Sequence, residues 1–108
     1  MSVSDEDIAH AIELFEGLGN LTTRKMMGGL CLYHEGTIFG IVHSDLGIMI
    51  KGAGAMQDTL DSMGLTRWTY TRDGSANVSA MPYWQMPDGA LDDPVQACTL
   101  ARAALEYL

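Results

Sequence analysis

Basic residues are scarce in this chain: six Lys and Arg stand against 14 Asp and Glu, for a formal net charge of −8 at pH 7. Proteins that hold duplex DNA neutralise its phosphates with Lys and Arg, so direct nucleic-acid binding is disfavoured. The one adjacent basic pair is Arg24-Lys25, and only Arg67 and Arg72 are candidates to join it in space. Cysteine is as sparse. Cys31 and Cys98 form no Cys-x-x-Cys pair and read as two reduced thiols serving as small core hydrophobes, which sets redox chemistry aside. Long hydrophobic runs are missing too: Gly, His or charge interrupts each one well short of the ~20 residues a membrane-spanning helix needs. The acidic start, Asp5-Glu6-Asp7, has neither the basic opening nor the apolar run of a secretion signal. A cytoplasmic location without a membrane partner is the expectation.

Catalytic signatures are equally thin. No Gly-x-Ser-x-Gly elbow, His-x-x-x-His spacing or complete Gly-rich phosphate loop occurs, although Gly28-Gly29 and Gly52-Ala53-Gly54-Ala55 are small-residue clusters. His34 and His43, with Glu35 and Asp45 beside them, invite a metal reading. If Glu35-Gly36 is a two-residue turn, however, the histidines lie at opposite ends of a strand, about 20 Å apart at ~3.3 Å per residue. The acidic trio Asp88, Asp92 and Asp93 is accounted for by helix capping and a solvated first turn. No cofactor, metal site or enzymatic activity is therefore expected.

What is present suits an ordinary globular domain. Hydrophobic residues make up 47% of the 108 and charged ones 19%, and the length fits one domain with one core. Ser4 and Asp7 have the spacing of a capping box, and Ile8, Ala11, Ile12, Phe15 and Leu18 recur at helical spacing behind them, with Gly17 or Gly19 as the stop. The period then changes to two. Strands are expected at Gly29 to His34, Thr37 to Val42 and Leu46 to Lys51, with a short one at Thr23 to Met26 leading in. The strand holding Ile38 to Val42 is apolar on both faces and should be central. Met56, Leu60 and Met63 mark a second helix over 55–63 that ends at Gly64. Two more strands follow, Thr66 to Thr71 and Ala76 to Met81, joined through Asp73-Gly74 in a type I′ turn, with Tyr83, Trp84 and Met86 as an extension. Asp93-Pro94 then opens a last helix, with Gln96 placed to reciprocate the cap, Val95, Cys98, Ala101, Leu105 and Leu108 as its buried stripe, and Ala97 and Ala104 allowing close approach. The fold class is α+β: an antiparallel sheet of about five to six strands with an N-terminal, an inserted middle and a C-terminal helix.

The most informative stretch is Arg24-Lys25-Met26-Met27-Gly28-Gly29-Leu30-Cys31-Leu32-Tyr33, a basic pair, two methionines and a Gly-Gly step leading into a strand. It resembles the signature of the TfoX/Sxy N-terminal domain. Met86-Pro87-Asp88-Gly89-Ala90-Leu91-Asp92-Asp93-Pro94 stands where that family has a Leu-Pro-x-x-Ala-Leu-Asp-Asp-like segment before its last helix. The likeness runs from about Leu14 to Leu105. It implies the same α+β layout, standing here without the helical domain that follows in many relatives. The family is associated with transcriptional control of DNA-uptake competence genes. A protein partner such as a transcription factor or RNA polymerase is what the resemblance implies.

Candidate contact residues follow from both lines. The resemblance makes Arg24 and Lys25, with Met26, Met27, Gly28 and Gly29, a docking point; the plain alternative is an ion pair between the basic residues and the acidic first helix, or a favourable charge beyond that helix's C-terminus. Eight methionines are most simply core filler, but Met26, Met27 and Met86 with Tyr83 and Trp84 could line an adaptable binding surface. Strand alternation should place only one of Tyr83 and Trp84 in the core. A sheet with helices on one side leaves its other face needing cover, which a homodimer would supply. Three functions remain open: a non-enzymatic regulatory module working through protein contacts, a small-ligand-binding or enzymatic domain on the same fold, and, disfavoured by charge, direct nucleic-acid binding through Arg24, Lys25, Arg67 and Arg72.

Overall fold

A computed structural model describes residues 3–26, 28–71 and 78–108. Ser4 starts the first helix, α1 (Asp5–Phe15), by accepting the Asp7 N–H at 3.1 Å, and the acidic first turn suits the positive end of the helix dipole. A 3₁₀ turn over Glu16–Leu18 ends at Gly19, whose φ of 73° lets the chain leave. The buried side of α1 is Ala11, Leu14 and Phe15. Ile12, expected inside, is 38% exposed, because the face centred on Ala11 and Phe15 leaves it on the rim.

Six strands form one antiparallel sheet: β1 (Leu21–Met26), β2 (Gly29–His34), β3 (Thr37–His43), β4 (Gly47–Lys51), β5 (Arg67–Thr71) and β6 (Val78–Gln85), ordered β1-β2-β3-β4-β6-β5. The lead-in strand is longer than its sequence suggests, pairing with β2 over its whole length from Leu21 opposite His34 to Met26 opposite Gly29. β3 is internal, as its two apolar faces require. Glu35 and Gly36 both take positive φ, 49° and 83°, the combination a type I′ hairpin turn demands. The Asp73-Gly74 turn and the Ala76 end of the sixth strand lie outside the described residues.

Two irregularities shape the sheet. Leu32 pairs with Gly40 and Tyr33 with Ile38, so Phe39 is an extra residue, and it turns inward to meet Phe15 edge-on at 5.1 Å. Along β6 the pairing jumps between Trp84 opposite Arg67 and Ala80 opposite Thr69. Pro82 sits in that jump, where a residue without an N–H costs the ladder least, and its carbonyl accepts from Gly52 at 3.0 Å.

The second helix, α2 (Ala55–Ser62), connects β4 to β5, and the third, α3 (Pro94–Leu105), closes the fold. Asp93 caps α3 by accepting from the N–H groups of Val95 and Gln96 at 3.1 and 3.3 Å. The expected return bond from Gln96 is replaced: the Asp93 N–H donates to the Ala90 carbonyl. The stripe expected for this helix holds at Cys98 and Ala101, with Ala97 and Ala104 inside at the close approach, and is corrected at Val95. Ala97, Cys98, Ala101 and Ala104 are buried, whereas Val95 is 76% exposed and Leu105 and Leu108 are half-buried. Small residues face inward because α3 approaches α1 closely, with the Cys98 Sγ 3.5 Å from the Leu14 carbonyl and a Cβ at Gly17 only 3.4 Å from that sulfur.

One sheet face, carrying Leu30, Leu32, Val42, Ile48, Ile50 and Trp84, packs with the three helices into the main core. The other face holds Cys31, Met49 and Tyr83, all buried although no helix covers them. The cover comes from the sheet itself. His43 on β3 and Trp68 on β5 stand three strand spacings apart, about 14 Å in a flat sheet, yet their rings meet at 5.3 Å. The sheet curls toward this side, and Trp68 also leans on Tyr83 at 6.2 Å.

Candidate partner-binding surface

The basic pair occupies β1, an edge strand, and both residues are exposed. Strand alternation separates them. Lys25 lies opposite Leu30 and therefore on the helix-covered side, while Arg24 lies opposite Cys31 on the curled side, together with Met26, which is 46% exposed. The expected ion pair with α1 does not form: among the described residues the one salt-bridge contact joins His34 and Glu35 at 3.9 Å. The end of the first helical segment is served instead by Arg102, whose Nη2 donates to the Gly17 carbonyl at 3.1 Å.

The Gly-Gly step has a structural reason at each position. Gly28 has a φ of 82°, which a side chain resists, and its carbonyl accepts the Val3 N–H at 2.7 Å, tying the start of the chain to the hairpin. Gly29 is buried, and a Cβ there would lie 2.8 Å from the Val42 carbonyl oxygen. These glycines set the position of Arg24, Lys25 and Met26. Met27 lies outside the described residues.

Tyr83 and Trp84 are both interior, correcting the expectation that only one of them is. They point to opposite faces, but each face has a core. Trp84 is fully buried between sheet and helices, with its Nε1–H donating to Asp61 Oδ1 at 2.8 Å and the Arg67 guanidinium over its ring at 4.4 Å. A side chain so enclosed offers no contact to a partner. Tyr83 is 8% exposed, and burial pushes its phenol above the ordinary range, with Cys31 and Tyr33 nearby adding to the rise. Sequence reasoning missed Trp68, Arg67 and Asp61, whose roles depend on strand order. The one available hint was Pro82, which signals a break in pairing beside Tyr83.

No wider basic patch assembles from the described residues. Arg67 belongs to β5, the edge opposite β1, and its Nε donates to the Met81 carbonyl at 2.8 Å. Arg72 lies outside the described residues. The histidines are used locally: His34 Nδ1 is 2.8 Å from the Gly19 carbonyl, and His43 Nδ1 accepts from the N–H groups of Asp45 and Leu46 at 3.0 and 3.2 Å. Among the described residues no three His, Cys, Asp or Glu side chains come together as a metal site, and no helix is long and apolar enough to cross a membrane.

Residues 13–108 match the family model described as the TfoX N-terminal domain. No curated protein matches the chain.

Proposed function

We propose, for a chain that belongs to the TfoX N-terminal domain family, a non-enzymatic regulatory role exercised through protein contact. Membership supports a regulatory-type domain in general. The finer reading is that the domain works in the cytoplasm on competence-type genes, by holding a transcription factor or RNA polymerase. It is carried by one observation: the exposed edge strand β1 presents Arg24 and Lys25 on its two sides, free of ion pairs among the described residues and set in place by Gly28 and Gly29. A partner lying along that edge meets unpaired backbone groups and a positive charge on either side, which is how an added strand gains both affinity and register.

The test is affinity capture from the native host with the wild-type domain and an Arg24→Ala/Lys25→Ala variant, read by mass spectrometry. A transcription factor or polymerase subunit should be recovered by the wild type and lost with the variant. Recovery of such a partner by both proteins alike would remove β1 as the contact, and recovery of none by either would remove the regulatory reading.

A further inference from the structure

Helices α2 and α3 leave a groove between them that the core does not fill. Its volume is about 340 Å³, and its walls are Met56, Thr59 and Met63 on one side and Val95, Thr99 and Leu100 on the other, above Ala90. The spacings on α2, i, i+3 and i+7, and on α3, i, i+4 and i+5, are those of one continuous stripe on each helix. The helices run antiparallel, since Tyr107 beyond the end of α3 lies against Gly54 at the start of α2, while Met63 and Val95 line the same groove at the other end. Val95 and Met63 are 76% and 47% exposed. Met56 and Ala90, 2% and 1% exposed, belong to the core and form the floor, while Met63 and Val95, the latter expected in the buried stripe of α3, stand open to solvent on the two walls.

The exposed charges on the segments that form the groove are acidic at Asp58 on α2, Asp88 next to the lining residue Pro87, and Glu106 just after α3, although none of them lines the groove itself. The segments that line the groove, Ala55–Met63, Pro87–Asp93 and Pro94–Leu105, contain a single basic residue, Arg102, and its guanidinium is turned to Gly17 beside α1. Along α3 the groove runs from Val95 to Ala103, about 12 Å at 1.5 Å per residue, close to the ~10.5 Å between side chains i and i+7 of a docked helix.

We infer that this groove is a docking site for a basic amphipathic helix of a protein partner. The partner's apolar anchors at i, i+3 or i+4 and i+7 enter between Met56, Met63, Val95 and Leu100. Its Lys and Arg complement the acidic charge of the flanking segments, which supply no free cation of their own among the described residues. Methionines suit such a site because their unbranched, polarisable side chains adapt to the anchor they receive. The surface is made of residues other than those of β1, so it stands or falls independently of the contact proposed there.

The test uses three fluorescein-labelled synthetic peptides of one length and fluorescence anisotropy with the full chain. One has Leu at helical spacing on a Lys-rich background, one is its scramble without an apolar face, and one replaces Lys by Glu. The first should bind at least about tenfold more tightly than the other two. Met63→Lys and Val95→Lys, both at exposed positions, should each weaken it by about tenfold or more, whereas Ile12→Lys, the same charge change on exposed α1, should leave it unchanged. Circular dichroism and melting curves confirm that all three variants fold. Equal binding of the Leu/Lys peptide and its scramble, or no effect of the groove variants, would overturn the proposal. So would concentration-dependent self-association abolished by Met63→Lys, which would assign the groove to a second copy of the chain.

Discussion

Trp84 shows how one residue can be read correctly for size and wrongly for place. Its bulk marks it as an anchor wherever it sits, and the fold uses that bulk inside, with Asp61 meeting the indole N–H and Arg67 covering the ring. A buried N–H that loses its acceptor carries the cost of desolvation, so Asp61→Ala should destabilise the domain by about 1–3 kcal/mol. Asp61→Asn keeps an oxygen acceptor and should recover most of that loss. Urea denaturation of the two variants measures both, and equal stabilities for wild type and Asp61→Ala would show that the bond contributes nothing. Gly28 and Gly29 teach the opposite lesson. The motif is conspicuous in the sequence, and its glycines are required by a positive φ and by the Val42 carbonyl, reasons that lie in the backbone and need no partner.

At the scale of the element, local chemistry was legible and facing was less so. The caps Ser4 and Asp93 act where their side chains predict, because an N-cap bond involves atoms within three residues of one another. Asp93 satisfies two otherwise free N–H groups of α3. Asp93→Ala should lower stability by about 1 kcal/mol, read as an earlier urea midpoint with an unchanged slope. The buried stripe of α3 was legible at Cys98 and Ala101, with Ala97 and Ala104 at the close approach and Leu105 and Leu108 packed against the core edge, and was misread at Val95, which hydrophobicity alone places inside. The helix approaches α1 at a distance that only Ala97, Cys98, Ala101 and Ala104 allow, and this turns Val95 outward. The bulge at Phe39 was likewise invisible in a pattern of alternation, whereas the register jump on β6 left Pro82 as its one sign in the sequence.

For the whole molecule, charge and curvature dominate. An excess of eight negative charges cannot be offset locally, because Arg24 and Lys25 point to opposite sides of β1 and Arg67 lies on the other edge strand over Trp84. A labelled duplex at low ionic strength should therefore show no anisotropy rise with added protein, and a salt-sensitive rise would contradict this account of the surface. Curvature changes the argument for a homodimer. The sheet face without helices draws His43, Trp68 and Tyr83 over Cys31 and Met49, and so supplies part of the cover that a second copy was expected to bring.

The sequence by itself determined the elements, their order, the Ser4 and Asp93 caps, the Glu35-Gly36 turn, the α+β class and the acidic character, because each depends on residues close together in the chain or on a simple sum. Only the tertiary structure decided that Trp84 and Tyr83 are both interior, that Arg24 and Lys25 part company across an edge strand, and that an apolar groove opens between α2 and α3. Those outcomes depend on which strands are neighbours, how far the sheet curls and how closely two helices approach, and such distances are set by packing among residues far apart in the chain.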